Sequence, residues 1–245
     1  MFKRILICLL ALCLTASPAL AERLPDSVLA TYYDGSLFVG DSLVRMLRNY
    51  IAPLQEEDPG FFRDVTFCTA YSYTMLAASQ EHPMGSEDAV NLMFRGQEMS
   101  MVEIAGALQP PKLFFLAGLN DTIGRRVEAG MGHVERMMGF MDKYAKDTRV
   151  YFFSLTPVTN AVEQVRHLQD DWDLYNEALK EKCGEVGATY IDISTPLKGS
   201  DGLLPMALSQ DGEYHLNEEG NAVWVQALLD FAQSEYDAGR WVPDM

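Results

Sequence analysis

Cysteine is scarce in this chain of 245 residues: four in all, two of which (Cys8 and Cys13) fall within the first 21 positions. The remaining pair, Cys68 and Cys183, can form at most one disulfide, and sequence alone does not bring them within bonding distance. There is no C-x-x-C and no clustered His/Cys/Asp set with metal-ligand spacing, so no metal and no cofactor is expected. Positive charge is also short. Nineteen Lys and Arg face 35 Asp and Glu, for a net charge of −16, which argues against nucleic acid or an anionic membrane as the main partner. Apolar runs long enough to span a bilayer are missing too. Without internal repeats or a low-complexity linker, the chain reads as one domain over residues 22–245.

The N-terminus carries a compartment signal. Lys3 and Arg4 form a positive n-region, Ile5 to Leu14 an apolar stretch, and Ala19-Leu20-Ala21 offers small residues at a cleavage site. Residues 1–21 are therefore expected to be a removed signal peptide, with Glu22 as the mature start. A retained membrane anchor is the less favoured alternative. The expected product is exported, has no membrane anchor after processing, and carries a net charge near −18 once Lys3 and Arg4 are gone.

From there short apolar runs alternate with amphipathic segments. Ser36 to Val39, Asp64 to Thr69, Lys112 to Ala117, Arg149 to Leu155 and Thr189 to Ile193 have strand character. Helical spacing runs from Ser42, over Met99 to Leu108, from about Ile123 to Lys146, and over Asp170 to Val186. A last helix follows Asn217 as its cap. In the long helix, Val127, Met131, Val134, Met138 and Met141 share one face and read as core filler. Phe94 to Met99 stays an unassigned loop. The rhythm indicates an α/β sandwich with a mainly parallel sheet, whose functional residues gather at the carboxyl ends of strands.

Three segments stand at such places. Gly40-Asp41-Ser42 follows the first strand; glycine allows a tight turn, and the serine begins a helix where backbone N–H groups are free. Gly118-Leu119-Asn120-Asp121 follows a later strand, and an asparagine amide there can donate to a developing oxyanion. Asp211-Gly212-Glu213-Tyr214-His215 precedes the last helix. Serine needs a neighbouring base to be nucleophilic at neutral pH, imidazole suits that task, and a carboxylate can hold the ring. Each segment alone has a plain reading, as an N-cap, a turn and a loop histidine.

Together, and in this order, they make the chain resemble the SGNH, or GDSL-type, esterase family over essentially its whole expected mature length. Ser154-Leu155-Thr156-Pro157 and Tyr190-Ile191-Asp192-Ile193 add to the likeness. The resemblance implies a three-layer α/β/α sandwich with a flavodoxin-like sheet. It makes Ser42 the nucleophile and His215 the general base, with Asn120 and the Ser42 N–H in the oxyanion hole. Gly40, Asp41, Gly118 and Asp121 complete the motifs, the two aspartates as loop-fixing residues.

Two departures stand out. The family places its acid three residues before the histidine, where this chain has Gly212. Asp211 lies four before and is the favoured acid, Glu213 the fallback, and a Ser-His dyad the remaining alternative. The second block, Thr66 to Ser72, lacks the family's glycine, so a backbone N–H of Ala70, Tyr71 or Ser72 must complete the oxyanion hole; Tyr71 is the working choice. Tyr71 and Tyr73 are candidates to line the cleft. The other histidines are expected elsewhere: His82 in a loop, His133 on a helix surface, His167 in a polar helix.

The expected activity is hydrolysis of small acyl, chiefly acetyl, esters on a small molecule or a glycan such as a cell-wall polymer. Two alternatives use the same scaffold: a catalytically silent glycan-binding relative, motivated by the two departures, and an acyltransferase.

Overall fold

The central strands are short runs of apolar residues, and their burial leaves no face for water. The computed structural model of the protein describes residues 22–121 and 127–243. Strands β1 (Leu37–Gly40) and β5 (Lys112–Leu116) are buried at every position, as strands covered on both faces must be. With β2 (Thr66–Thr69), β6 (Arg149–Phe153) and β7 (Thr189–Ile191) they form a parallel sheet in the order β2-β1-β5-β6-β7. Numbered within the sheet this is 2-1-3-4-5, the flavodoxin-like order, with the direction of winding reversing between β1 and β5.

Helices α1 (Asp26–Ala30), α2 (Ser42–Glu57) and α8 (Glu218–Asp237) pack together as one layer. In the other, α3 (Met75–Ala78), α4 (Met101–Leu108) and α7 (Gln169–Val186) pack around α5 (Val127–Tyr144). A further short helix, α6 (Asn160–Arg166), precedes α7. The result is the three-layer α/β/α sandwich. Parallel register lines up Phe67, Phe38, Phe114 and Tyr151 in one row across four strands. Phe114 stacks on Phe38 and on Tyr151 with ring centroids 4.7 Å apart in each case. Such pairs add packing energy beyond their buried area.

Several elements differ from the sequence reading. The region around Phe94 is a hairpin, not a loop: β3 (Leu92–Phe94) pairs antiparallel with β4 (Gln97–Met99). Its turn residues Arg95 and Gly96 have φ of 50° and 79°, the left-handed pair a two-residue hairpin needs. Three-residue strands give too short an alternation to register as a pattern. Helix α4 starts at Met101 because Ser100 and Glu103 form a reciprocal capping box. Met131, Val134 and Met141 are core residues and Met138 is half-buried against them. The expected start of that helix, at residues 123–126, lies outside the described residues, as does the expected signal peptide. Cys68 and Cys183 are both buried free thiols. Among the described residues no helix is long and apolar enough to cross a membrane.

Candidate active site

The turn between β1 and α2 is built around an absence. A Cβ on Gly40 would come within 2.4 Å of Val44 and 2.5 Å of the Leu116 carbonyl, so only glycine lets β1 lie this close to β5 and α2. Asp41 then caps α2, its carboxylate accepting the Leu43 N–H at 2.9 Å. Ser42 is the first helical residue, so its own N–H has no intrahelical acceptor.

From the other end of the chain, the loop before α8 brings His215 to this serine. Ser42 Oγ lies 2.9 Å from His215 Nε2, and His215 Nδ1 lies 2.5 Å from Asp211 Oδ2. Burial alone would raise the Asp211 carboxyl, but the hydrogen bonds from His215 and the Glu213 N–H outweigh it and hold it below its ordinary value. It is therefore an ionised acceptor near neutrality. Nδ1 must then carry the hydrogen in a neutral ring, which leaves Nε2 free to accept from the Ser42 hydroxyl. The three side chains form one directed hydrogen-bond chain. Glu213 does not join it; its carboxylate faces Arg166 at 3.7 Å.

The extra residue in this loop is Gly212, at φ 78°, a conformation costly for other residues. It lets Asp211 curl back, so that its Oδ1 accepts the N–H groups of Glu213 at 2.8 Å and His215 at 3.3 Å. Thr159, buried after β6, pins the loop from outside. Its hydroxyl donates to the Gly212 carbonyl at 2.6 Å and its N–H to the Glu213 carbonyl at 2.8 Å. The Tyr214 ring lies 4.8 Å from the imidazole and edge-on to Trp172, which limits how His215 swings.

After β5, Gly118 has φ 131°, and a Cβ there would strike the Tyr175 ring at 2.6 Å. The turn delivers Asn120, whose amide donates to Asp41 Oδ2 and to the Tyr73 carbonyl, both at 3.2 Å. Asp121 works away from the centre, accepting the Met75 and Leu76 N–H groups at the start of α3. Asp41 is fully buried, and loss of hydration pushes its carboxyl up to about 7 despite the Leu43 N–H.

Of the three backbone donors after β2, Ala70 is excluded, because its N–H donates to the Gly40 carbonyl at 3.2 Å. Among the described residues the Tyr71 and Ser72 N–H groups meet no acceptor, and Ser72 sits at φ 55°. Tyr71 is 64% exposed, whereas Tyr73 is core and does not line the cleft. None of the remaining histidines bonds to Ser42, His215 or Asp211, although His133 lines a cavity together with Asn120 and Asp121. His82 pairs with Glu103 at 2.8 Å. His167 ends α6 in a left-handed conformation instead of lying within a helix. His133 is half-buried, not simply surface, with Nδ1 3.1 Å from Ser79 Oγ.

The sequence reading missed Thr159, Ser209 and Trp172 as supports. Ser209 accepts the Gly212 N–H at 2.9 Å and lies 3.2 Å from Asp211. No local pattern marks Thr159, since its partners lie more than fifty positions away. Ser42, Asn120 and Tyr71 follow β1, β5 and β2, so the site sits at the reversal point of the sheet, where α/β folds hold their ligands.

Comparison with known proteins agrees in family and fold. No curated protein matches the chain. Among solved structures, an acetyl xylan esterase is 13% identical with a TM-score of 0.60, over 80% of this chain and 98% of that one. An acetylxylan esterase from Geobacillus stearothermophilus is 14% identical at a TM-score of 0.55, over 80% and 93%. A GDSL-like lipase from Bacteroides thetaiotaomicron is 13% identical at 0.59, over 82% and 88%. At such identities the likeness is one of fold. The family model for GDSL-like lipases and acylhydrolases matches residues 38–223, a span that holds every motif above, and the chain belongs to that family of ester hydrolases.

Proposed function

We propose that the protein is an exported serine esterase in which Ser42 is the nucleophile, His215 the general base and Asp211 its orienting acid. The observation that carries this is the hydrogen-bond chain from Ser42 through His215 to Asp211, with contacts of 2.9 and 2.5 Å. Ser42 Oγ attacks the acyl carbonyl while Nε2 takes its proton. The tetrahedral oxyanion accepts from the Ser42 N–H, from the Tyr71 or Ser72 N–H, and from Asn120, which exchanges its long contact to the Tyr73 carbonyl for the new acceptor. His215 then protonates the leaving alcohol, the acyl group stays on Ser42, and water activated by the same imidazole releases the acid.

Small acyl esters, above all acetyl esters on carbohydrate or cell-wall polymers, are the proposed substrates. Two of the similar folds are named acetyl xylan esterases, and an exported enzyme meets such polymers. A binding-only relative was motivated by the displaced acid and the missing second-block glycine; the 2.5 Å contact from His215 to Asp211, and the Tyr71 and Ser72 N–H groups that meet no acceptor among the described residues, favour the enzyme reading. The test is labelling with a fluorophosphonate followed by intact mass, alongside turnover of an activated acetate ester. One adduct is expected in the wild type and none in Ser42→Ala, with His215→Ala strongly slowed. A wild type that neither labels nor turns over the ester would overturn the enzyme reading. Export is checked separately, by the mass of the secreted chain, expected to begin at Glu22.

A further inference from the structure

Ser42 and Arg45 are three residues apart on α2 and so share a helix face. The Arg45 guanidinium lies over the Tyr71 ring, 4.5 Å from its centroid. Gly40 of β1 pairs with Thr69 of β2, so Ser42 and Tyr71 each stand two residues beyond one paired position, at the same end of the sheet. The ring holds one face of the guanidinium, and its edge keeps N–H donors for something else.

Among the described residues Arg45 shares the lack of a carboxylate partner with Arg48, Arg95, Arg136 and Arg149; what sets it apart is its place three residues from Ser42 on α2, stacked on Tyr71. Arg23, Arg63, Arg166 and Arg240 are each paired with Asp or Glu. Among the described residues Arg45 makes no ion pair, although the sequence holds 35 Asp and Glu against 19 Lys and Arg. A half-buried cation is thus kept at the mouth of the site, held on an aromatic face and unneutralised. The fork of N–H groups in arginine matches carboxylate and phosphate oxygens.

We propose that Arg45, stacked on Tyr71, binds a carboxylate or phosphate on the alcohol part of the ester, so that preferred substrates carry one negative charge close to the acylated hydroxyl. The inference rests on the serine esterase reading above; with a small acyl group, only the alcohol has room for a charge. It also narrows the substrate class. Net charge of −16 repels a polyanion at long range, whereas Arg45 acts at contact distance. A singly charged small ester, or an isolated charged unit in a neutral chain, fits both facts.

The experiment compares kcat/KM for release of acetate within two ester pairs, one member of each carrying the anionic group and the other lacking it. One pair is mono-O-acetyl galacturonic acid and its methyl ester; the other is 1-O-acetylglycerol 3-phosphate and 1-O-acetylglycerol. In the wild type the charged member of at least one pair is expected to lead by about tenfold, the scale of one charge-assisted contact. Which pair responds identifies the anion as carboxylate or phosphate. That lead should collapse towards one in Arg45→Gln and be partly kept in Arg45→Lys. A ratio near one for both pairs in the wild type, or a ratio unchanged in Arg45→Gln, overturns the proposal. Calorimetric binding of galacturonate and glycerol 3-phosphate reads the same site without turnover. Binding weakened by Arg45→Gln supports the anion site even if no ester is hydrolysed. No difference in binding, together with no turnover, overturns it, while Ser42 labelling reports separately on the esterase reading.

Discussion

Between Asp211 and His215 stands one residue more than the family spacing, and that residue is a glycine at φ 78°. The left-handed turn absorbs the insertion, so Asp211 both closes its own loop and reaches Nδ1. Glu213 is spent on Arg166. Asp211→Asn should therefore lower kcat/KM by about 10²–10⁴-fold, less than for a fully buried triad acid because a third of this side chain meets water. Glu213→Gln should stay within a few-fold, and steady-state rates on one acetate ester compare the two directly. The buried carboxyl of Asp41 makes a different prediction. Its pKa rises on folding to about 7, from an unfolded value of about 4. Between those values the folded chain binds the proton better than the unfolded chain, so stability is lost as pH rises through the window. Asn carries no such proton. Denaturant unfolding at several pH values should show Asp41→Asn gaining on the wild type from pH 4 to 7, on top of a constant offset where the new amide meets Asn120. A pH-independent difference would mean that Asp41 ionises as it does in the unfolded chain.

Elements read well wherever one segment contained all the information. Strands β1, β5 and β6 and helices α2, α7 and α8 were visible because apolar periodicity is local, and Asn217 caps α8 by accepting the Gly220 N–H. The hairpin β3–β4 and the short α3 and α6 were not, being too brief to show a period. Thr159 escaped for another reason: it reaches Gly212 across 53 residues, and no spacing rule spans that distance. Thr159→Val keeps the shape but removes the hydroxyl that satisfies the Gly212 carbonyl. Such a loss typically costs about 1–3 kcal/mol when the orphaned group is buried. The loop would then hold Asp211 and His215 less tightly while the substrate surface remains. The expected signature is a fall in kcat of about threefold to thirtyfold with KM nearly unchanged, the pattern of an interaction that matters mainly in the transition state. A change in KM alone would place Thr159 in binding instead.

At the scale of the whole molecule, strand order decides what the sequence left open. The motifs could be picked out along the chain, but that they meet at one point follows only from β1 lying between β2 and β5. The same order answers the question of the cysteines. Cys68 is on β2, at one edge of the sheet, and Cys183 is on α7, which packs against α5 and the opposite edge strand β7. Four strand spacings separate those edges, roughly 19 Å. A disulfide tolerates Cα atoms only about 4.4–6.8 Å apart, so the two cannot join without dismantling the sheet. Burial also keeps both thiols protonated, pushing Cys68 up to about 11 and Cys183 up to about 12. A thiol that is neither exposed nor ionised reacts slowly with disulfide reagents. The chain from Glu22 onward, although proposed to work in an oxidising compartment, should therefore titrate as a two-thiol protein: no prompt reaction with Ellman's reagent when folded, two equivalents after denaturation. Its unfolding midpoint should be the same with and without reductant. A midpoint that drops on reduction, or an intact mass two hydrogens light, would mean that β2 and β7 do not stand at opposite edges of one sheet.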